Sequence, residues 1–162
     1  MVMSNQIALD KKDEIFLTQE GLKKLESEYK ELRDVKRKDI TERISKAREF
    51  GDISENSEYD TAREEQSFIE GRILEIEEIL KYARVLNENE RHNIVEMGSR
   101  VKVDVGGKKD EFSIVSSVEA NPAEGKISNE SPVGKALLGA KVGDIVTVSS
   151  TITSTYKVLE VK

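Results

Sequence analysis

Gly51-Asp52-Ile53-Ser54-Glu55-Asn56-Ser57-Glu58-Tyr59 separates two long heptad-patterned stretches, and its reading decides the fold. On its N-terminal side, Thr18 is placed to cap a helix, with Gln19 and Glu20 in the first turn, where a carboxylate suits the helix dipole. Apolar residues fall at Leu22, Leu25, Tyr29 and Leu32, then resume at Ile40, Ile44 and Ala47 after a phase shift that resembles a coiled-coil stutter. On the other side Tyr59, Ala62, Ile69, Ile73, Ile76, Leu80 and Ala83 keep a 3-4 spacing, with Gln66 the one polar residue on the seam.

About 33 helical residues from Thr18 to Phe50 extend roughly 50 Å, longer than a small domain is wide. The connection from Gly51 to Ser54 is short, which forces the two helices antiparallel, and Gly51 suits the end of the first. The pattern predicts an antiparallel coiled-coil hairpin with an acidic tip near residues 50–58. The competing arrangement, a helical bundle folded against the rest of the chain, fits poorly with charged positions surrounding so narrow an apolar seam.

The remainder has a different texture. Residues 1–96 hold 24 acidic and 17 basic side chains, whereas residues 97–162 hold 8 and 9 and are rich in Val, Ile, Ser and Gly. Arg100 to Val105 alternates and ends at the hairpin-type pair Gly106-Gly107, after which Glu111 to Val115 reads as the returning strand. Asp144 to Val148 and Thr155 to Val161 repeat the pattern. Between them Ser131-Pro132-Val133-Gly134-Lys135-Ala136-Leu137-Leu138-Gly139 predicts a short capped helix with Pro132 first and Gly139 closing it. The expected fold is α+β: an N-terminal extension over 1–16, the hairpin over 17–90, and a small twisted-sheet domain with one short helix over 91–162.

Composition narrows the function classes. A net charge of −6 argues against sequence-independent nucleic-acid binding as the main activity, since that rests on many cations meeting phosphates. The absence of cysteine removes disulfides, thiolate metal sites and cysteine nucleophiles, and the single His92 makes no histidine metal site alone. No apolar run approaches the roughly 20 residues of a membrane span, and the first residues lack a signal peptide's apolar stretch, so a cytoplasmic protein without a membrane partner is expected.

The tip admits two chemistries. Asp52 and Glu55 stand three apart, which is the spacing of a capping box as well as of two carboxylates on one side of a helical turn. Two carboxylates bind a metal weakly by themselves, but magnesium commonly takes one or two from a protein and fills its other positions with water and substrate phosphate. The sequence thus permits a half-site completed by another macromolecule and disfavours a self-contained one. Arg48 and Arg63 bracket the tip and would either neutralise phosphates or pair with Glu49, Glu64 and Glu65. The run Lys30, Arg33, Lys36, Arg37 and Lys38, with acids interleaved, reads by default as a solvated helix face.

Two blocks, Ala47 to Tyr59 continuing through Ala62-Arg63-Glu64-Glu65-Gln66 to Glu70-Gly71-Arg72-Ile73, and Ile127 to Gly139 followed by Val142-Gly143-Asp144, resemble the Gre family of bacterial transcript-cleavage factors. The resemblance covers nearly all of the chain after Leu17. It implies a coiled-coil hairpin joined to an FKBP-like C-terminal domain that binds bacterial RNA polymerase. The hairpin would enter the polymerase's secondary channel and stimulate its own cleavage of the nascent RNA 3′ end in backtracked elongation complexes. By motif, Asp52 and Glu55 would help hold a second magnesium ion, shared with the polymerase active site, and position the attacking water. Arg48, Asn56, Glu58, Tyr59 and Arg63 would support the tip, and Glu130, Ser131 and Pro132 would dock on the polymerase. No cofactor is expected in isolation, and a monomer is expected, although the same heptads would also serve to pair two chains.

Three rivals follow. A channel-binding regulator that modulates polymerase without cleavage shares the resemblance. A peptidyl-prolyl isomerase is suggested by the implied fold, but residues 97–162 offer only Phe112 and Tyr156 as aromatics. A purely structural coiled-coil adaptor would need the seam and not the tip charges.

Overall fold

The structure, a computed structural model, describes residues 14–51, 57–86 and 93–162. The chain forms two compact units, Leu17–Lys81 and a second that joins residues up to Phe16 with Tyr82–Lys162.

The first unit is helical. Helix α1 (Gln19–Glu31) starts where Thr18 Oγ1 accepts the Gly21 N–H at 3.0 Å, the cap expected from the sequence. The chain then widens into a π turn over Leu32–Lys36, in which the Arg37 N–H reaches back to the Leu32 carbonyl, and continues as α2 (Arg37–Glu49). That turn is the physical form of the phase shift between Leu32 and Ile40. A π turn absorbs one extra residue, so the apolar seam returns to the same face instead of spiralling away from it.

Helix α3 (Ser57–Tyr82) runs antiparallel to α1 and α2, as the cross-helix pairs show: Arg43 meets Glu58 and Glu65, Arg37 meets Glu70, and Arg72 meets Glu28. The seam between them buries Ile40, Ile44, Ala62, Ile69 and Ile73, with Tyr29, Leu32 and Tyr59 packed against it. The expected seam needs adjustment at its far end. Ile79 is buried whereas Leu80 is only half-buried, and Ala83 belongs to a strand rather than to the helix. Strand β1 (Ile15–Leu17) pairs there with β2 (Ala83–Val85), and a backbone committed to that ladder cannot continue an α-helix.

The second unit is built on a curled five-stranded mixed sheet in the order β5-β4-β3-β7-β6. Strands β3 (Arg100–Val105) and β4 (Lys108–Val115) form a hairpin around Gly106 and Gly107, at φ 60° and 87°, a conformation that glycine adopts without a Cβ clash. The Gly107 N–H donates to Asp104 Oδ1 at 2.7 Å and tightens the turn. Strand β5 (Lys126–Ser128) lies parallel to β4 after a 3-10 turn at Pro122–Glu124; β6 (Ile145–Val148) and β7 (Ser154–Val161) complete the sheet. Register slips between Lys102 and Val103 on the β7 side, a local irregularity of the kind that bends a strand. Helix α4 (Pro132–Leu137) closes a core of Val95, Val101, Val103, Ile114, Leu137, Ala140 and Val158. The molecule is α+β: an N-terminal helical hairpin and a C-terminal curled mixed sheet.

Candidate functional site

The hairpin brings the end of α2 beside the start of α3. Small residues make this possible: Ala47 is 4% exposed and Ala62 fully buried, so the helices approach closely there. Helix α2 ends at Glu49, and Gly51 follows with φ 128°, a backbone conformation that side-chain-bearing residues rarely adopt.

The expected tip residues divide into two groups. Asp52, Glu55 and Asn56 lie outside the described residues. Arg48, Glu58, Tyr59 and Arg63 are described, and their contacts differ from the simplest sequence expectation. The Arg48 guanidinium sits over the Tyr59 ring, 5.8 Å from its centroid, a cation–π contact between the two helices. Arg63 Nη1 donates to Gln66 Oε1 at 2.8 Å within α3. Neither arginine forms a salt bridge with Glu49, Glu64 or Glu65 among the described residues; Glu65 pairs instead with Arg43.

Arg43 was not singled out by sequence, yet it is the charge that organises this end of the hairpin. Its Nη2 donates to Glu58 Oε1 at 2.9 Å and its Nη1 to Glu65, so one guanidinium on α2 holds two carboxylates a little under two turns apart on α3. Hydrogen bonds to Glu58 and then Glu65 raise its pKa above the ordinary arginine value. The signal for it lay in the hairpin register: once the helices are antiparallel about Gly51, residue 43 must face the 58–65 stretch.

Lower on the hairpin the basic run is partly spoken for. Arg33 pairs with its neighbour Asp34 at 2.7 Å and lies over the Tyr29 ring, and Arg37 grips Glu70 across the seam. This supports the reading of a solvated, internally paired face.

In the second unit, Glu130, Ser131 and Pro132 form the entry to α4. Ser131 Oγ accepts the Gly134 N–H at 3.0 Å and donates to the Ser128 carbonyl at 2.7 Å, which makes it the helix cap, with Pro132 in the first turn. The Glu130 carboxylate accepts from Ser117 Oγ at 2.8 Å. Gly134 is demanded by this packing, because a Cβ there would sit 2.0 Å from the Ser128 carbonyl oxygen.

Among the described residues no group of three or more Asp, Glu, His or Cys side chains is arranged to hold a metal ion. The donor chemistry of Asp52 and Glu55, two hard carboxylates, fits magnesium when water and phosphate oxygens complete the set. Among the described residues no helix is long and apolar enough to cross a membrane.

Residues 15–85 match the family described as "Transcription elongation factor, N-terminal", and residues 90–162 match "Transcription elongation factor, GreA/GreB, C-term". The chain is 52% identical over 154 residues to transcription elongation factor GreA of Acetivibrio thermocellus, covering 92% of this chain and 96% of that protein. It is 54% identical over 150 residues to GreA of Clostridium botulinum, covering 90% and 93%. Among solved structures, GreA factor homolog 1 of Thermus thermophilus is 30% identical, with a TM-score of 0.44 over 92% of this chain and 99% of that one. The chain belongs to the GreA/GreB family of transcription elongation factors.

Proposed function

We propose that this protein binds bacterial RNA polymerase in the cytoplasm, inserts its helical hairpin into the secondary channel, and stimulates the polymerase's own cleavage of the 3′ end of backtracked nascent RNA. The observation that carries this reading is the 52% identity to a GreA over 92% of the chain, which includes the block from Ala47 to Tyr59. The protein is then a cofactor of the polymerase rather than an enzyme by itself.

In this reading Asp52 and Glu55 would hold a magnesium ion together with groups of the polymerase active site. When bound, that ion supplies charge neutralisation at the phosphodiester and lowers the pKa of a coordinated water. Arg43 fixes Glu58, and Arg48 over Tyr59 ties the last turn of α2 to the first turns of α3, so the two carboxylates are offered from a braced end. Asn56 would assist their orientation and Arg63 would stay near the RNA phosphates. Glu130, Ser131 and Pro132 would dock on the polymerase, with the serine cap and the Ser117–Glu130 hydrogen bond holding that loop in shape. The seam is satisfied within one chain, Ile40 and Ile44 against Ala62, Ile69 and Ile73, which supports a monomer.

The test is a stalled, backtracked elongation complex with 5′-labelled RNA. The parent protein is expected to shorten the RNA from its 3′ end in the presence of magnesium, and Asp52→Asn and Glu55→Gln are expected to bind polymerase without doing so. Binding by the parent with no shortening would favour a channel regulator, and full activity in both variants would remove the metal role.

A further inference from the structure

Gly71 sits in the interior of α3, where glycine is among the least favourable residues for a helix. Among the described residues nothing requires it. Its φ is not positive, its backbone is exposed, and a Cβ built on it would meet no atom within 4 Å. Glycines of this kind are explained when another surface approaches the backbone closely.

The neighbours of Gly71 point the same way. Phe68 and Leu74 stand three residues to either side, flanking it on the face turned away from Ile69, Ile73 and Ile76, and they are 73% and 64% exposed. Two large apolar side chains with a glycine gap between them make a notch about 9 Å long on the helix. Glu64 and Glu78, both exposed, rim that notch about one turn from Phe68 and Leu74, and Glu75 beside them pairs with Arg72 at 2.8 Å. An acidic rim repels a phosphate backbone, and it would meet its own like charges across a contact between two copies of this chain.

We propose that the outward face of α3 centred on Gly71 is a docking surface for RNA polymerase, fitting a protein wall that presents an apolar side chain flanked by basic residues. This rests on the function proposed above and adds to it a contact remote in sequence from the tip carboxylates. The apolar side chain enters the gap over Gly71 between Phe68 and Leu74, while lysines or arginines beside it meet Glu64 and Glu78.

The experiment measures binding of the labelled full chain to core RNA polymerase, alongside RNA shortening at saturating protein. The paired substitution Phe68→Ala with Leu74→Ala, and separately Gly71→Leu, are each expected to weaken binding about tenfold. Shortening should persist once enough protein is added. Gly71→Leu should melt at or above the parent's temperature, since leucine is the better helix former, so lost binding is not lost folding. Unchanged affinity in both variants, with the parent binding and cleaving normally, overturns this inference alone. A parent dimer that the same substitutions dissociate also overturns it, by making the surface a self-contact. If the parent neither binds nor cleaves, the proposed function fails and this surface falls with it.

Discussion

Arg37 grips Glu70 with two parallel hydrogen bonds, Nε to Oε1 at 2.7 Å and Nη2 to Oε2 at 2.6 Å, joining the first turn of α2 to the middle of α3. Arg72 grips Glu28 across the seam in the same bidentate way, and both Arg37 and Glu70 side chains are 40% exposed. Solvent screening therefore keeps the coupling small in a double-mutant cycle of Arg37→Ala and Glu70→Ala. The hydrogen bond from Arg37 holds the Glu70 carboxyl below its ordinary value. A carboxylate with a depressed pKa stabilises the fold fully above its unfolded pKa and loses that contribution as pH falls through the folded one. Thermal melts of parent and Glu70→Gln should thus differ at pH 7 and converge in acid, below the ordinary glutamate range of about 4.3.

Seam and outer face of α3 should respond in opposite ways. Ile73 is 1% exposed, and Ile73→Ala should cost about 2–5 kcal/mol, read as a shifted urea midpoint. Phe68→Ala, on the solvent side, should stay within about 0.5 kcal/mol of the parent.

Gly134→Ala should destabilise the C-terminal unit by about 2–3 kcal/mol, because the new methyl group meets the Ser128 carbonyl and the backbone must move. Gly139→Ala is a useful contrast: its Cβ has open space, so only the strain of its φ of 81° is felt. Differential scanning calorimetry of both variants separates overlap from backbone strain.

Thr18→Ala should lower stability by about 1 kcal/mol through loss of the bond to the Gly21 N–H, and Thr18→Ser should restore it. Helical circular dichroism during thermal unfolding is the readout.

Arg48→Ala should reduce RNA shortening several-fold with little change in polymerase affinity, whereas Arg48→Lys, which keeps a cation near the Tyr59 ring, should recover part of it. Equal losses in binding and cleavage would assign Arg48 to docking instead.

Much of the fold was legible because its signals are local. The Thr18 cap, the isoleucine seam of α3, the Gly106-Gly107 turn and the Ser131-Pro132 helix start each depend on residues a few positions apart. What was missed depends on distant partners. The end of α3 at Tyr82 is set by β2 pairing with β1, some 70 residues upstream, and β5 becomes a strand only by lying parallel to β4. The returning strand begins at Lys108, earlier than the apolar pattern suggests, because ladder bonds to β3 continue through its exposed residues. At the candidate site, Asp52 and Glu55 were legible as residue types at a spacing. The Arg43 bridge to Glu58 and Glu65 and the Arg48–Tyr59 contact became visible only with the helix register in place.

The π turn at Leu32–Lys36 separates chain length from seam phase at one place in the hairpin. Deleting the half-exposed Val35 would put Leu32 and Ile40 one heptad apart, converting the bulge to plain α-helix with the apolar faces on both sides still aligned. The same deletion elsewhere in α1 or α2 would rotate every residue toward Glu49 by about 100° and turn Ile40, Ile44 and Ala47 out of the seam. Within α1 and α2 that turn is therefore the joint where the arm can lose a residue without re-aiming what it carries.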